Sequence, residues 1–144
     1  MMDANLSRQT LSNWMISAAI ELEPIYRLMI EELLKRDYIQ ADETVLKVLD
    51  DKGKESKKQK YMWLYKSPDP DEPIIIYDYQ RTRSGSCPRD FLGEFSSYLQ
   101  TDAYAGYNKV ENAKRFYCLA HIRRKFHEII VTLNEEALKS SRHS

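Results

Sequence analysis

Two aspartates raise the first chemical question in this 144-residue chain. Asp102 stands in "LQTDAYAGYN" (99–108), after a short apolar entry and before small and aromatic residues and a glycine; Asp42 stands in "YIQADET" (38–44). Two carboxylates brought side by side repel, so ionising both is costly unless a divalent cation lies between them. Magnesium answers that need, because it takes hard oxygen ligands from one or two carboxylates plus substrate phosphates. Two such ions about 3.5–4 Å apart can activate the attacking oxygen and stabilise the leaving one in phosphodiester chemistry. Spacing alone leaves the plainer roles of helix cap, turn residue or strand end open for each aspartate.

Three further residues, Cys118, His121 and His127, read C-x2-H-x5-H. Structural zinc wants four ligands, and the other cysteine, Cys87, lies far upstream. A buried strand cysteine and a helix-start histidine therefore stand beside any ligand role. Basic clusters at 52–60 ("KGKESKKQK"), 81–83 ("RTR") and 123–125 ("RRK") either meet a phosphate backbone or form solvated surface.

The elements that must position these residues can be read from periodicity. Leu11, Trp14, Met15, Ala18, Ala19 and Leu22 follow helical spacing and argue for a face buried on a core rather than a DNA-reading helix. Pro24 suits the start of a second segment with Ile25, Leu28, Met29 and Leu33, giving a kinked helix or two short ones. "YIQADETVLKVLD" (38–50), "YMWLYK" (61–66) and "IIIYDYQ" (74–80) are rich in β-branched and aromatic residues and predict a three-strand antiparallel meander. "SCPRDFLGEFSSYL" (86–99) predicts a helix with Phe91, Phe95, Tyr98 and Leu99 on one stripe. A short strand ending near Asp102, a short helix around 108–114, a strand at 115–119 and a closing amphipathic helix with Ile122, Phe126, Ile129, Ile130 and Leu133 complete the order.

Strand, strand, strand, helix, strand, helix, strand, helix is the element order of the ribonuclease H-like fold. The expected class is α/β (α+β): a mixed five-stranded sheet with flanking helices behind an N-terminal helical segment. There the first and fourth strands are neighbours, so Asp42 and Asp102 converge, whereas Glu43 points to the opposite strand face and stays off their metal.

Bulk properties agree with a folded domain. A chain this long buries about 68–70% of its unfolded surface, and 42% hydrophobic with 31% charged residues is wrong for a disordered chain. The formal net charge is zero, yet residues 1–51 hold ten acids and five bases and the remainder twelve acids and seventeen bases. The longest apolar-leaning stretch is broken by polar residues before reaching the about 18 that a membrane span needs, and the start shows no secretory signal. With no export signal, Cys87 and Cys118 are expected as reduced thiols.

The chain resembles the catalytic region of the insertion-sequence 66 family of bacterial transposases. The resemblance rests on "LSRQTLSNW" (6–14), "EELLKRDYIQADET" (31–44), "YMWLY" (61–65), "YDYQRTRSG" (77–85), "LQTDAYAGYN" (99–108) and "CLAHIRRKF" (118–126), in family order. It implies an acidic-triad (Asp-Asp-Glu) enzyme that cuts and joins DNA with magnesium or manganese in the bacterial cytoplasm, here as a fragment lacking the third carboxylate, or alternatively an inactive relic that binds DNA or a full-length transposase. The first catalytic and metal-binding aspartate falls on Asp42 and the second on Asp102. Cys118 and His121 belong to a motif beside the active site, and Arg123, Arg124 and Lys125 are candidates for DNA phosphates.

Implied partners are double-stranded DNA at transposon ends and targets, with full-length transposase or self-association, and no membrane. Val45 stands where the family usually has proline. The family's third carboxylate is a glutamate beyond the cysteine–histidine motif, so the expectation is an N-terminal helical segment (1–36) and a core (37–144) incomplete at its C-terminus. Glu128, Glu135 and Glu136 read as surface charges of the last helix rather than as that third ligand.

Overall fold

The computed structural model describes residues 6–48 and 59–141, with side chains described as far as residue 134. Much of the basic cluster at 52–60 lies outside the described residues.

The first helix, α1, runs from Arg8 to Leu34. Ser7 caps it, its Oγ accepting from the Thr10 amide at 3.0 Å, which satisfies one of the orphan donors of the first turn. Pro24 lies inside the helix, which continues past it as one element rather than two; proline removes a single amide donor, and helix formers on both sides carry the rest.

The expected burial of the early stripe is not what the structure shows. Trp14 is 58% and Met15 76% exposed, and Leu11 is exposed as well. Length explains the difference: 27 residues of helix extend about 40 Å, against about 23 Å for a seven-residue strand. Contact begins towards the far end of α1. There Tyr26 Oη donates to the Tyr77 carbonyl at 3.1 Å, Leu33 is fully buried, and Ile30 and Leu34 pack on the core.

Five strands follow: β1 (Tyr38–Leu46), β2 (Lys60–Ser67), β3 (Ile74–Gln80), β4 (Tyr98–Thr101) and β5 (Lys114–Tyr117). They form one sheet in the order β3-β2-β1-β4-β5. The β1–β2 and β2–β3 pairs are antiparallel, whereas β4 runs parallel to β1 and β5 parallel to β4. Together with the three α-helices among the described residues this is the mixed five-stranded α+β sheet expected from the sequence.

One face of the sheet is the core. Ile39 and Ala41 from β1, Trp63 and Tyr65 from β2, Ile76 from β3 and Leu99 and Thr101 from β4 are buried there. Helix α2 (Ser86–Leu92) covers part of this face with Cys87 and Leu92, and Phe91 stacks on Tyr65 with ring centroids 3.8 Å apart. The helix expected over 86–99 is much shorter than its stripe suggested. Gly93, at φ 52°, ends it, in the left-handed region that glycine enters most easily, and Tyr98 and Leu99 lie in β4 instead.

The short helix expected around 108–114 is a 3-10 turn at Ala105–Lys109. Helix α3 (Leu119–Ser141) closes the chain. Its apolar stripe, including Phe126, Ile129, Ile130 and Leu133, is exposed. No helix among the described residues is long and apolar enough to cross a membrane.

Candidate active site

Strand register sets the segments that lead to the two aspartates side by side. Tyr38, Ile39 and Gln40 of β1 lie level with Tyr98, Leu99 and Gln100 of β4. Extended two residues beyond the paired rows, the same offset would set Asp42 level with Asp102, which follows the last residue of β4, on the side that carries Gln40 and Gln100. The pairing of β4 with β5 adds Cys118 to that row, since Gln100 is level with Phe116. Below the acids, Gln40 Nε2 donates to Gln100 Oε1 at 2.7 Å, which ties the two strands together on this face.

Asp42 is half-exposed. Its Oδ1 accepts the amide of Glu43 at 2.9 Å, and its Oδ2 lies 3.6 Å from His121 Nε2. Asp102 Oδ1 accepts the amide of Tyr104 at 2.9 Å. His121 sits in the first turn of α3, its amide donating to the Cys118 carbonyl at 3.1 Å.

Cys118 and His121 line two adjoining cavities. One, of about 310 Å³, is walled by Asp102, Tyr117, Ile122 and Lys125, and the other, of about 180 Å³, by Asp42, Gln40 and Lys66. His121 Nδ1 is buried with no hydrogen-bond partner among the described residues.

The opposite side of β1 carries a second acid, and it is the more deeply buried one. The Glu43 side chain is 1% exposed. Arg83 Nε donates to Glu43 Oε1 at 2.8 Å, with Arg83 Nη2 on the same oxygen, and Tyr107 Oη donates to Oε2 at 2.8 Å. Burial holds the Glu43 carboxyl above its ordinary range; the Arg83 and Tyr107 bonds pull the other way, and the Asp102 charge adds to the rise. Burial first, and then the Glu43 charge, raise the Tyr107 phenol, keeping it a donor.

Around Asp102 the motif residues have separate tasks. The Arg83 guanidinium lies 4.1 Å from the centre of the Tyr104 ring, and Tyr104 Oη donates to the Arg83 carbonyl. A Cβ at Gly106 would fall 2.2 Å from Tyr104 Cε1, and one at Gly85 would fall 2.4 Å from the Gly106 carbonyl oxygen. Both glycines are there because ring and backbone occupy the space. Arg115 grips the loop from β5: Nε donates to Thr101 Oγ1 at 2.8 Å, and Nη2 to the carbonyls of Asp102 at 2.8 Å and Tyr104 at 3.0 Å.

A family model described as "Transposase IS66 family" matches residues 1–142. The chain belongs to the IS66 transposase family. Among curated relatives from Sinorhizobium fredii (strain NBRC 101917 / NGR234), it is 27% identical to the uncharacterized protein y4qI over 94% of this chain and 28% of that protein. It is 29% identical to the uncharacterized protein y4jD over 93% of this chain and 29% of that protein. The IS66 chain thus spans under a third of the length of these relatives. No solved structure matches it.

Of the residues singled out from this IS66 sequence, Asp42, Asp102, Cys118 and His121 lie around adjoining cavities. Lys125 reaches the wall of the larger one, while its Nζ donates to Glu128 Oε2 at 3.0 Å. Arg123 and Arg124 are exposed on α3. Among the described residues, no group of three or more His, Cys, Asp and Glu side chains could hold a metal ion. Glu135 and Glu136 lie where side chains are not described.

Sequence reasoning set Glu43 on the face away from Asp42 but missed its burial and its partners. The signal available was its position in the alternation Ile39, Ala41, Glu43, where an acid takes a core-facing place and therefore needs a donor.

Proposed function

We propose that this chain is the ribonuclease H-like core of an acidic-triad DNA transposase, with Asp42 and Asp102 as two of its metal-binding catalytic acids. The carrying observation is the parallel pairing of β1 with β4, which leads the two aspartates to adjoining cavities that share Cys118 and His121, Asp42 lining one and Asp102 the other. The strand order β3-β2-β1-β4-β5, antiparallel on one side of β1 and parallel on the other, supports the fold. A division into a helical segment (1–36) and a core (37–144) goes with this reading, as does a bacterial cytoplasmic setting.

The donor set suits a hard divalent cation. Each aspartate keeps one oxygen that takes no hydrogen bond from the described residues, and carboxylates are the ligands magnesium and manganese favour. When bound, the cation supplies charge neutralisation and polarises a phosphodiester oxygen. The chain's own residues do the rest. Arg115 and Tyr104 hold the Asp102 loop, His121 faces Asp42, and Lys125, with Arg123 and Arg124, offers cations to DNA phosphates, which position a duplex without reading its sequence.

A second reading is a chain that binds DNA or a full-length transposase without cutting. It is favoured by one observation: among the described residues no third acid completes a cluster with Asp42 and Asp102.

Thermal melting in millimolar magnesium or manganese tests the metal site, and nicking of labelled transposon-end duplex separates the two readings. A melting-temperature rise lost in Asp42→Asn and Asp102→Asn is expected. The absence of any rise would sink the metal assignment, and metal-dependent nicking abolished by the same variants would exclude the non-cutting chain.

A further inference from the structure

Glu43 lies next to Asp42 in β1 and faces the other way, so its burial needs a reason of its own. A carboxylate withdrawn from water is costly unless it is paired and hydrogen-bonded. Its donors arrive from segments far apart in the chain: Arg83 follows β3, and Tyr107 follows β4. From Arg83 the contacts continue to Asp102. The guanidinium carbon lies over the Tyr104 ring, 4.1 Å from its centre, Tyr104 Oη returns a bond to the Arg83 carbonyl, and the Tyr104 amide donates to Asp102 Oδ1 at 2.9 Å. The close approaches at Gly85 and Gly106 leave this stack little room to shift.

We infer that Glu43 is a positioning residue for the candidate metal site: it anchors Arg83, Arg83 holds Tyr104, and the Tyr104 amide fixes the Asp102 carboxylate opposite Asp42. The inference rests on the reading of Asp102 as a metal-binding acid, and gives a task to an acid that touches no metal. Two neighbouring residues of β1 thus serve one site from opposite faces of the sheet, Asp42 directly and Glu43 through the loop beyond β4. The two bonds from Arg83 to one carboxylate oxygen, made while its guanidinium sits over the Tyr104 ring, need a guanidinium, which a lysine ammonium does not replace.

Amide hydrogen exchange of the ¹⁵N-labelled full chain reads this chain of contacts at the Tyr104 amide. Glu43→Gln keeps the size of the side chain and an acceptor for Tyr107; Arg83→Lys keeps a charge beside Glu43 and loses the guanidinium over the Tyr104 ring. Each is expected to speed Tyr104 exchange about five- to tenfold, the loss of one net hydrogen bond, while Leu64 and Tyr65 in β2 keep their rates. If Glu43→Gln does not fold, Arg83→Lys carries the measurement.

Tyr104 rates within about twofold of wild type in every variant that folds would overturn the inference. Equal acceleration throughout β2 would do the same, since Glu43 would then stabilise the fold as a whole. Manganese titration of the wild type and Asp42→Asn separates this from the metal reading. Equal affinity in both sinks the metal assignment, and the Tyr104 rates still decide for or against Glu43 as the anchor of the Asp102 loop.

Discussion

Tyr107→Phe isolates one bond of the buried cluster. The substitution removes an oxygen and leaves the ring, whose edge contacts with Trp63 at 5.6 Å and Tyr104 at 6.1 Å persist. Tyr107 is fully buried, and its hydroxyl donates to Glu43 Oε2 at 2.8 Å. A hydrogen bond to a charged group contributes about 1.5–3 kcal/mol, and the upper part of that range applies where water cannot reach the acceptor. With the Glu43 side chain 1% exposed, the expected loss is about 2–3 kcal/mol.

Urea unfolding followed by tryptophan fluorescence measures it, because Trp63 is buried against Tyr107 while Trp14 is exposed in the folded chain. The midpoint should fall with the slope unchanged, the signature of altered stability rather than altered compactness. Tyr26→Phe is the matched control: its hydroxyl donates to the Tyr77 carbonyl at an exposed position, and its removal should cost under about 1 kcal/mol. A Tyr107→Phe loss of less than about 0.5 kcal/mol, the range of ordinary surface changes, would refute the argument that this bond carries the burial of Glu43.

Two other outcomes follow from the same packing. Gly85→Ala would place a methyl 2.4 Å from the Gly106 carbonyl oxygen and 2.9 Å from its Cα; since both are backbone atoms, α2 must withdraw from the Asp102 loop, at a cost of about 1–3 kcal/mol. An unchanged melting temperature would show that this contact yields freely. The Tyr65 and Tyr107 phenols are both raised by burial. Unfolded phenols ionise at about pH 10, so the stability they contribute is complete below that pH and declines as pH rises towards their higher folded values. Base titration followed by circular dichroism and tyrosinate absorbance should show unfolding coupled to the last phenols. All ten tyrosines ionising normally in a chain that stays folded would contradict it.

The sheet is legible in the sequence because its strands carry alternation and β-branched runs: β3 occupies 74–80 as expected, and the order of the strands agrees, with a 3-10 turn where a helix is expected before β5. Where the reading went astray, two periods competed. Phe91, Phe95, Tyr98 and Leu99 satisfy helical spacing, yet Gly93 ends the helix and β4 claims the last two residues. Periodicity also says which side of a helix is apolar without saying what covers it, so the early α1 stripe reads as core although Trp14 and Met15 are exposed. Asp42 and Asp102 could be paired once β1 and β4 were taken as neighbours. The bond of Glu43 with Arg83 could not, because a buried acid announces that it needs a donor but not which arginine forty residues on provides it.

The parallel pairing of β1 with β4 has a consequence for how the site comes into being. Residues of the two strands that lie level are sixty apart in sequence, whereas β2 and β3 are joined by a short connection from Ser67 to Ile74. Closing the longer span costs about 2 kcal/mol more chain entropy than closing the shorter one. The antiparallel meander can therefore gain its ladder before β4 docks, but the carboxylate row exists only after that docking. The candidate site therefore depends on a long loop closure, and the Glu43 and Arg115 contacts tie down a loop that the meander alone does not place.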